Sequence, residues 1–199
     1  MKIITFAGRK GGTGKTTNSH AAAHGLAMLA MPSAYVLTDQ RQLPSDENRV
    51  YTVIDGRTMA QLEQAVATAK QHDGAGVLII DGGGNRGPVD ELLISVSDAV
   101  LLPFGASDDD VATIAEDMAR FEKAWALPSN WPSNAKAKEV DTGYIDKLAE
   151  FYPDRILKPM PATHSVRDLV LHAFNGSLLP PAQRYCRMLA RRVLEILPA

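Results

Sequence analysis

The chain has 199 residues with 21 Lys and Arg against 23 Asp and Glu, a formal net charge of −2, and one cysteine, Cys186. That length suits one well-buried domain over 1–199, and the near-neutral charge argues against a surface that coats nucleic acid throughout, while allowing a local basic face. The lone cysteine excludes an internal disulfide and a thiolate metal cluster within one chain, and no run reaches the roughly 18–20 apolar residues of a membrane span, so a soluble, cytoplasmic protein is expected.

An apolar run over 2–7 reads as a buried strand and leads into Gly8-Arg9-Lys10-Gly11-Gly12-Thr13-Gly14-Lys15-Thr16-Thr17. Glycines at 11, 12 and 14 remove the Cβ atoms that would block close approach. Backbone N–H groups then converge on one anion, and the helix expected over 16–31 adds its positive end. Lys15 reaches the β- and γ-phosphates of a nucleotide, and Thr16 offers a hydroxyl to Mg²⁺. Gly11, Gly12, Thr13, Gly14, Lys15, Thr16 and Thr17 are thus the candidate cofactor-binding residues. The general phosphate-loop spacing wants glycine five residues before Gly14, where Arg9 stands. The variant K-G-G-x-G-K-[ST]-[ST] fits instead, with Lys10 ahead of the glycines. In this stretch the sequence resembles the ParA/MinD family of deviant Walker ATPases. The resemblance implies that Lys10 reaches across a nucleotide-sandwich dimer to the partner's phosphates. His20 and His24, four apart on the helix and without an evident third ligand, read as packing or surface histidines.

A run over 34–38 ends in Asp39, a second buried strand that delivers an acid where open α/β sheets bind ligands. ParA-like proteins carry D-x-D-P here. Asp39-Gln40-Arg41-Gln42 keeps the first acid, but Arg41 replaces the second and Gln42 the proline. In the family the second acid helps to orient the attacking water, so the departure bears on hydrolysis more than on binding. Slow intrinsic turnover, raised by a partner, is expected. A solvated loop over 42–49, a short strand over 50–54 and a helix over 58–66 with Met59, Leu62 and Val66 on one face follow. The apolar run 76–81 ends in Asp81, the form of a Walker B strand, whose carboxylate can hold Mg²⁺ beside the phosphates. Gly82-Gly83-Gly84-Asn85 stands where the family usually shows D-T-P-P, a loop able to move with the γ-phosphate. Lys10, Lys15 and Asp39 are the catalytic candidates; Thr16 and Asp81 are the metal candidates.

Residues 88–97 read as a helix and 99–103 as a strand. Asp108-Asp109-Asp110 reads as the dipole-complementing start of a helix running to about Ala124, in preference to a Ca²⁺ site. Pro128 and Pro132 argue against a central strand at 127–134 and favour a surface loop there, although in ParA-like chains the residues after a strand in this place line the adenine pocket; Asn130, Trp131 and Asn134 are the candidates. A helix over 141–151 and a last strand over 155–160 precede His164 to Pro180, which resembles the family's arginine-bearing helix and Gly-turn. In the final helix, 181–197, Tyr185, Leu189, Val193 and Ile196 share one face, and Arg184, Arg187 and Arg191 another, with Arg192 near its edge. Seven basic residues against two acidic ones over 155–199 make this the one marked charge asymmetry. Arg167, Arg184, Arg187, Arg191 and Arg192 are therefore candidate contacts to DNA phosphates without sequence readout. A membrane-bound helix is disfavoured by its modest apolar face without Trp or Phe. A merely solvated face is the third reading.

The fold expected is α/β, a doubly wound, mostly parallel sheet flanked by helices. The resemblance implies an ATP- and Mg²⁺-dependent homodimer that binds DNA non-specifically in the ATP state. It would serve plasmid or chromosome partition, cytoplasmic or nucleoid-associated, with a centromere-binding or other activating partner protein. Adenine over guanine rests on the resemblance. Two alternatives stand beside it. One is a positioning or conjugation accessory ATPase on a protein or membrane scaffold. The other is a metabolic or transfer enzyme of the same fold, which needs a second substrate pocket with its own acid/base group.

Overall fold

Short apolar runs, each flanked by helical sequence, give a sheet whose two faces must both be covered. The structure, a computed structural model, describes residues 1–83 and 88–197. Gly84 and Asn85 of the expected switch loop therefore lie outside the described residues. The strands are β1 (Lys2–Phe6), β2 (Ser33–Leu37), β3 (Thr52–Asp55), β4 (Val77–Asp81), β5 (Ala99–Phe104) and β6 (Ala124–Pro128). They pair in parallel in the order β3-β2-β4-β1-β5-β6. The helices are α1 (Lys15–Met28), α2 (Met59–Gln71), α3 (Pro88–Val96), α4 (Asp108–Arg120), α5 (Ala135–Ala149) and α6 (Pro180–Ile196), with a 3-10 helix at His164–Val170.

Alternation along the strands divides the core. Ile4, Phe6, Tyr35, Leu37, Ile79 and Leu101 pack on the side of α1 and α6. Ile3, Val36, Leu78 and Ile80 face α2 and α3, while Val100, Leu102 and Phe104 meet α4 and α5. Helix α6 lies close on α1 because of Gly25. A β-carbon at that position would sit 2.0 Å from the carbonyl oxygen of Cys186.

Several boundaries differ from the sequence expectation. Helix α4 stops at Arg120, and Ala124 opens β6 where a loop had been expected to follow the helix. Proline is tolerated because β6 is the edge strand of the ladder and Pro128 is its last residue. The expected strand over 155–160 is reduced to two isolated bridges, Ala126 to Ile156 and Trp131 to Pro161. Pro159 and Pro161 supply no N–H there, so a continuous ladder cannot form. Asn134, a candidate base contact, instead caps α5, its Oδ1 accepting from Ala137 N at 2.8 Å. Trp131 is buried.

Candidate nucleotide-phosphate site

Phe6 of β1 and Leu37 of β2 are both register partners of Asp81, so three strand ends stop together. The chain beyond each is delivered to one edge of the sheet. Gly14 is the N-cap of α1, with φ 95° and no side-chain cap. Left-handed backbone of that kind favours glycine, and the leading N–H groups of α1 are left to an anion.

Lys15 opens α1 and Asp81 ends β4 at this edge, near enough for their charges to act on one another. Lys15 Nζ donates to the carbonyl of Lys10 at 2.6 Å. Burial lowers its pKa, and the nearby Asp81 carboxylate works the other way. Asp81 is 1% exposed. Its Oδ2 accepts from the Tyr35 hydroxyl at 2.9 Å, and its backbone carbonyl accepts from Thr38 Oγ1 at 2.7 Å. Burial raises the Asp81 pKa, while hydrogen bonding from Thr16 and Tyr35 opposes the rise. A hydroxyl and a carboxylate are hard oxygen donors that fit Mg²⁺. Among the described residues no group of three or more His, Cys, Asp or Glu could hold a metal ion. The donor set therefore suits a cation that takes its other ligands from phosphate and water.

The front half of the loop turns the opposite way, toward α4. Arg9 contacts Glu116 at 2.6 Å and the buried Asp117 at 2.7 Å. Lys10 Nζ lies 2.5 Å from Asp109 and 2.8 Å from Asp110. The glycine missing from the general pattern is thus an arginine that anchors the loop. Two members of the Asp108-Asp109-Asp110 run hold the early lysine, and Asp110 N donates to the capping Ser107 Oγ at 3.1 Å. Asp39 follows β2; its Oδ1 accepts from Gln40 N at 2.8 Å and its Oδ2 from Arg41 Nη2 at 2.9 Å.

Beneath the edge runs a buried aromatic chain that includes the two histidines of α1. The His20 ring stacks on Tyr35 with centroids 3.9 Å apart, and its Nδ1 lies 2.7 Å from the Tyr51 hydroxyl. Arg49 donates to that hydroxyl at 2.7 Å and to the carbonyls of Leu169 and Leu171 at 2.8 and 2.7 Å. His20 and His24 are packing histidines. Burial, with Arg49 adding to it, holds His20 well below the usual range and lowers His24 to about 4. Asn18 joins α1 to both neighbours, accepting from Tyr185 OH at 2.6 Å and donating to Ser129 Oγ at 3.3 Å. A polar residue inside an alanine-rich helix was the one available signal for it.

A cleft of about 120 Å³ continues from the loop, lined by Gly12, Thr13, Thr17, Asn130, Thr163 and Arg167 among others. Asn130 adopts φ 60° at the end of β6. Arg167, expected on a DNA-facing surface, stands in this cleft beside the phosphate loop. Arg184, Arg187 and Arg191 are exposed along α6. Arg192 is a correction: it is 8% exposed, and its guanidinium donates to Met160 Sδ. It falls seven residues after Tyr185 and three after Leu189, which places it on the buried stripe of the helix.

No protein-family model matches the chain, and no curated protein matches it in sequence. Solved structures do. MinD cell division protein from Aquifex aeolicus superposes with TM-score 0.73 at 15% identity, over 98% of this chain and 97% of that one. A Borrelia burgdorferi protein assigned to plasmid partition, bound to AMPPNP, gives 0.65 at 16% identity, over 98% and 97%. Cobyrinic acid a,c-diamide synthase from Mycobacterium smegmatis, with an ATP analogue and magnesium, gives 0.64 at 16%, over 98% and 95%. The chain therefore has the P-loop fold of the MinD and ParA proteins, as the loop motif led one to expect.

Proposed function

We propose that the protein is a nucleotide-switched ATPase of the ParA/MinD type that acts in DNA segregation. The observation that carries the reading is the convergence of Lys15, Thr16 and the buried Asp81 below a glycine loop at the start of α1. In it, the loop N–H groups of 11–16 and Lys15 hold the phosphates of ATP. Thr16 and Asp81 would hold Mg²⁺, which would supply neutralisation of the phosphate charge. Asp39 orients the attacking water from the end of β2. Arg41 stands where a second acid would assist it, so turnover is slow until a partner protein raises it. Lys10 reaches across a homodimer. Its pair with Asp109 is solvent-exposed, and such a pair is readily exchanged for a phosphate. A single cytoplasmic or nucleoid-associated domain fits this reading.

Arg184, Arg187 and Arg191 at i, i+3 and i+7 supply a strip for DNA phosphates, doubled in a dimer. Six such contacts predict a log–log salt slope of about −5. The test is DNA binding with ATP, with ADP and without nucleotide, each at two salt concentrations. Binding in ATP alone, lost in a triple Arg184→Ala, Arg187→Ala, Arg191→Ala variant, is expected. Binding indifferent to nucleotide and to that variant overturns the segregation reading. Lys10→Ala should neither dimerise nor hydrolyse ATP like the parent; if it does both, the cross-dimer role is wrong.

The shared fold of a diamide synthase keeps a metabolic reading in view. A cavity of about 690 Å³ lies against α2, lined by Met1, Asp55, Gln61 and His72 among others. Its one lining carboxylate is already committed. Asp55 accepts from Arg57 at 2.9 and 2.7 Å, which lowers it to about 2.

A further inference from the structure

The cations around the glycine loop are not equivalent. Arg9 and Lys10 are engaged by four acids of α4, with contacts of 2.5–2.8 Å to Glu116, Asp117, Asp109 and Asp110. Lys15 Nζ instead turns to the Lys10 carbonyl and feels the charge of Asp81 at the end of β4. Arg41 is a second cation on that side, two residues beyond Asp39. Register and hydrogen bonding place it there. Leu37 pairs with Asp81, Thr38 Oγ1 bonds the Asp81 carbonyl, and Arg57 Nη1 donates to the carbonyl of Arg41 at 3.4 Å. The Arg41 side chain is 41% exposed, and among the described residues its guanidinium has one hydrogen-bond partner, Asp39. Its charge acts on Asp81, Lys15 and Tyr35.

A half-exposed guanidinium on one carboxylate oxygen is a fork with donors to spare. A terminal phosphoryl group offers three oxygens and more charge than that carboxylate, in the geometry a guanidinium matches. We propose that Arg41 exchanges Asp39 for the γ-phosphate of a bound nucleoside triphosphate, making it this chain's own sensor that separates triphosphate from diphosphate within one protomer. The inference rests on the nucleotide reading above and adds to it the residue that sets the preference. It also gives a positive role to the residue that replaces an acid: Arg41 strengthens the triphosphate state at the expense of hydrolysis. The switch then holds longer.

The test is equilibrium binding of ATP and ADP, each with Mg²⁺, to the full chain and to Arg41→Ala and Arg41→Lys, with Lys15→Ala as the control for the site itself. A charged hydrogen-bonding pair corresponds to roughly 10- to 100-fold in affinity. Arg41→Ala should therefore weaken ATP by roughly 10-fold or more while ADP changes by less than about 3-fold. Arg41→Lys should recover part of the difference, because the charge stays and the fork is lost. An unchanged ATP-to-ADP ratio in Arg41→Ala, or equal losses for both nucleotides, overturns the sensor role and leaves the nucleotide reading standing. Failure of the unmodified chain to bind either nucleotide, with Lys15→Ala no different, overturns both. Thermal unfolding of each variant without nucleotide identifies any loss that comes from folding. If Arg41→Ala is unfolded, the ratio in Arg41→Lys decides: a parental ratio overturns the proposal and a reduced one supports it.

Discussion

Helices α1 and α2 each follow a strand and cover one face of the same sheet, yet they are built on different terms. Helix α2 buries Leu62, Ala65, Val66 and Ala69 in one apolar stripe and opens on a capping box, with Thr58 and Gln61 bonded reciprocally. Helix α1 has no side-chain cap, begins on a left-handed glycine and buries Asn18, Ser19, His20 and His24 among its alanines. The first is an amphipathic helix stabilised by local sequence and one apolar face. The second is enclosed between the sheet and α6, so Asn18 and His20 bond to neighbouring elements, while Ser19 bonds back to the Lys15 carbonyl. Those partners, Tyr35, Tyr51, Ser129 and Tyr185, lie under the phosphate site. The helix that sequence rules explain least well is the one that supports the chemistry.

The sharpest way to break this contrast is at Gly25. Its replacement by alanine puts a methyl group into the Cys186 carbonyl and must separate α1 from α6. A loss of about 3 kcal/mol or more is expected in urea unfolding. A loss below about 1 kcal/mol would show that the two helices are not held at that distance.

Next comes pH. His20 and His24 have folded-state pKa values below the ordinary one of about 6.5. The unfolded chain therefore binds protons first. Their stabilising contribution is full above about 6.5 and is lost as the pH falls toward the folded value near 4 for His24. Asp81 works oppositely, because its raised pKa lets the folded state take up a proton before the unfolded one. His24 by itself, with 6.5 for the unfolded chain and about 4 for the folded one, should lower stability by roughly 2 kcal/mol between pH 6.5 and 4.5. His24→Phe should flatten that slope, and an equal slope would assign it elsewhere.

A smaller effect is expected at Tyr35→Phe, which removes one donor from the buried Asp81. About 1–2 kcal/mol should be lost at neutral pH, and the loss should shrink once Asp81 is protonated. Calorimetry at two pH values measures both. The mildest test is on the other helix: Thr58→Ala should reduce stability by about 1 kcal/mol with no change in the pH profile, as a cap does.

Much of the fold was legible because it repeats simple signals. Five of the six strands are apolar runs with turns beside them, and the glycine loop and Asp81 stood out by residue type and spacing. The strand at 124–128 was not legible, because proline is judged as though every strand were central. Whether a strand is an edge depends on segments far away in the chain. Arg192 was misplaced at the edge of the basic face, although its spacing from Tyr185 and Leu189 puts it on the buried stripe, where Met160 accepts from it. Asn134 and Trp131 shared a polar, proline-rich stretch with Asn130. One became a cap, one was buried, and Asn130 alone reached the cleft.

By itself the sequence determined the local pieces: a phosphate loop that needs glycine where backbone must approach an anion, a strand ending in an acid, and an amphipathic helix with its cap. Tertiary structure alone decided the pairings. Lys15 Nζ turned back to the Lys10 carbonyl, where the Asp81 charge acts on it, and Lys10 Nζ outward to Asp109 and Asp110, although only five residues separate the two lysines. The reason is physical. Propensity and spacing act over a few residues, whereas burial and charge pairing depend on which distant segments the sheet brings to the same edge.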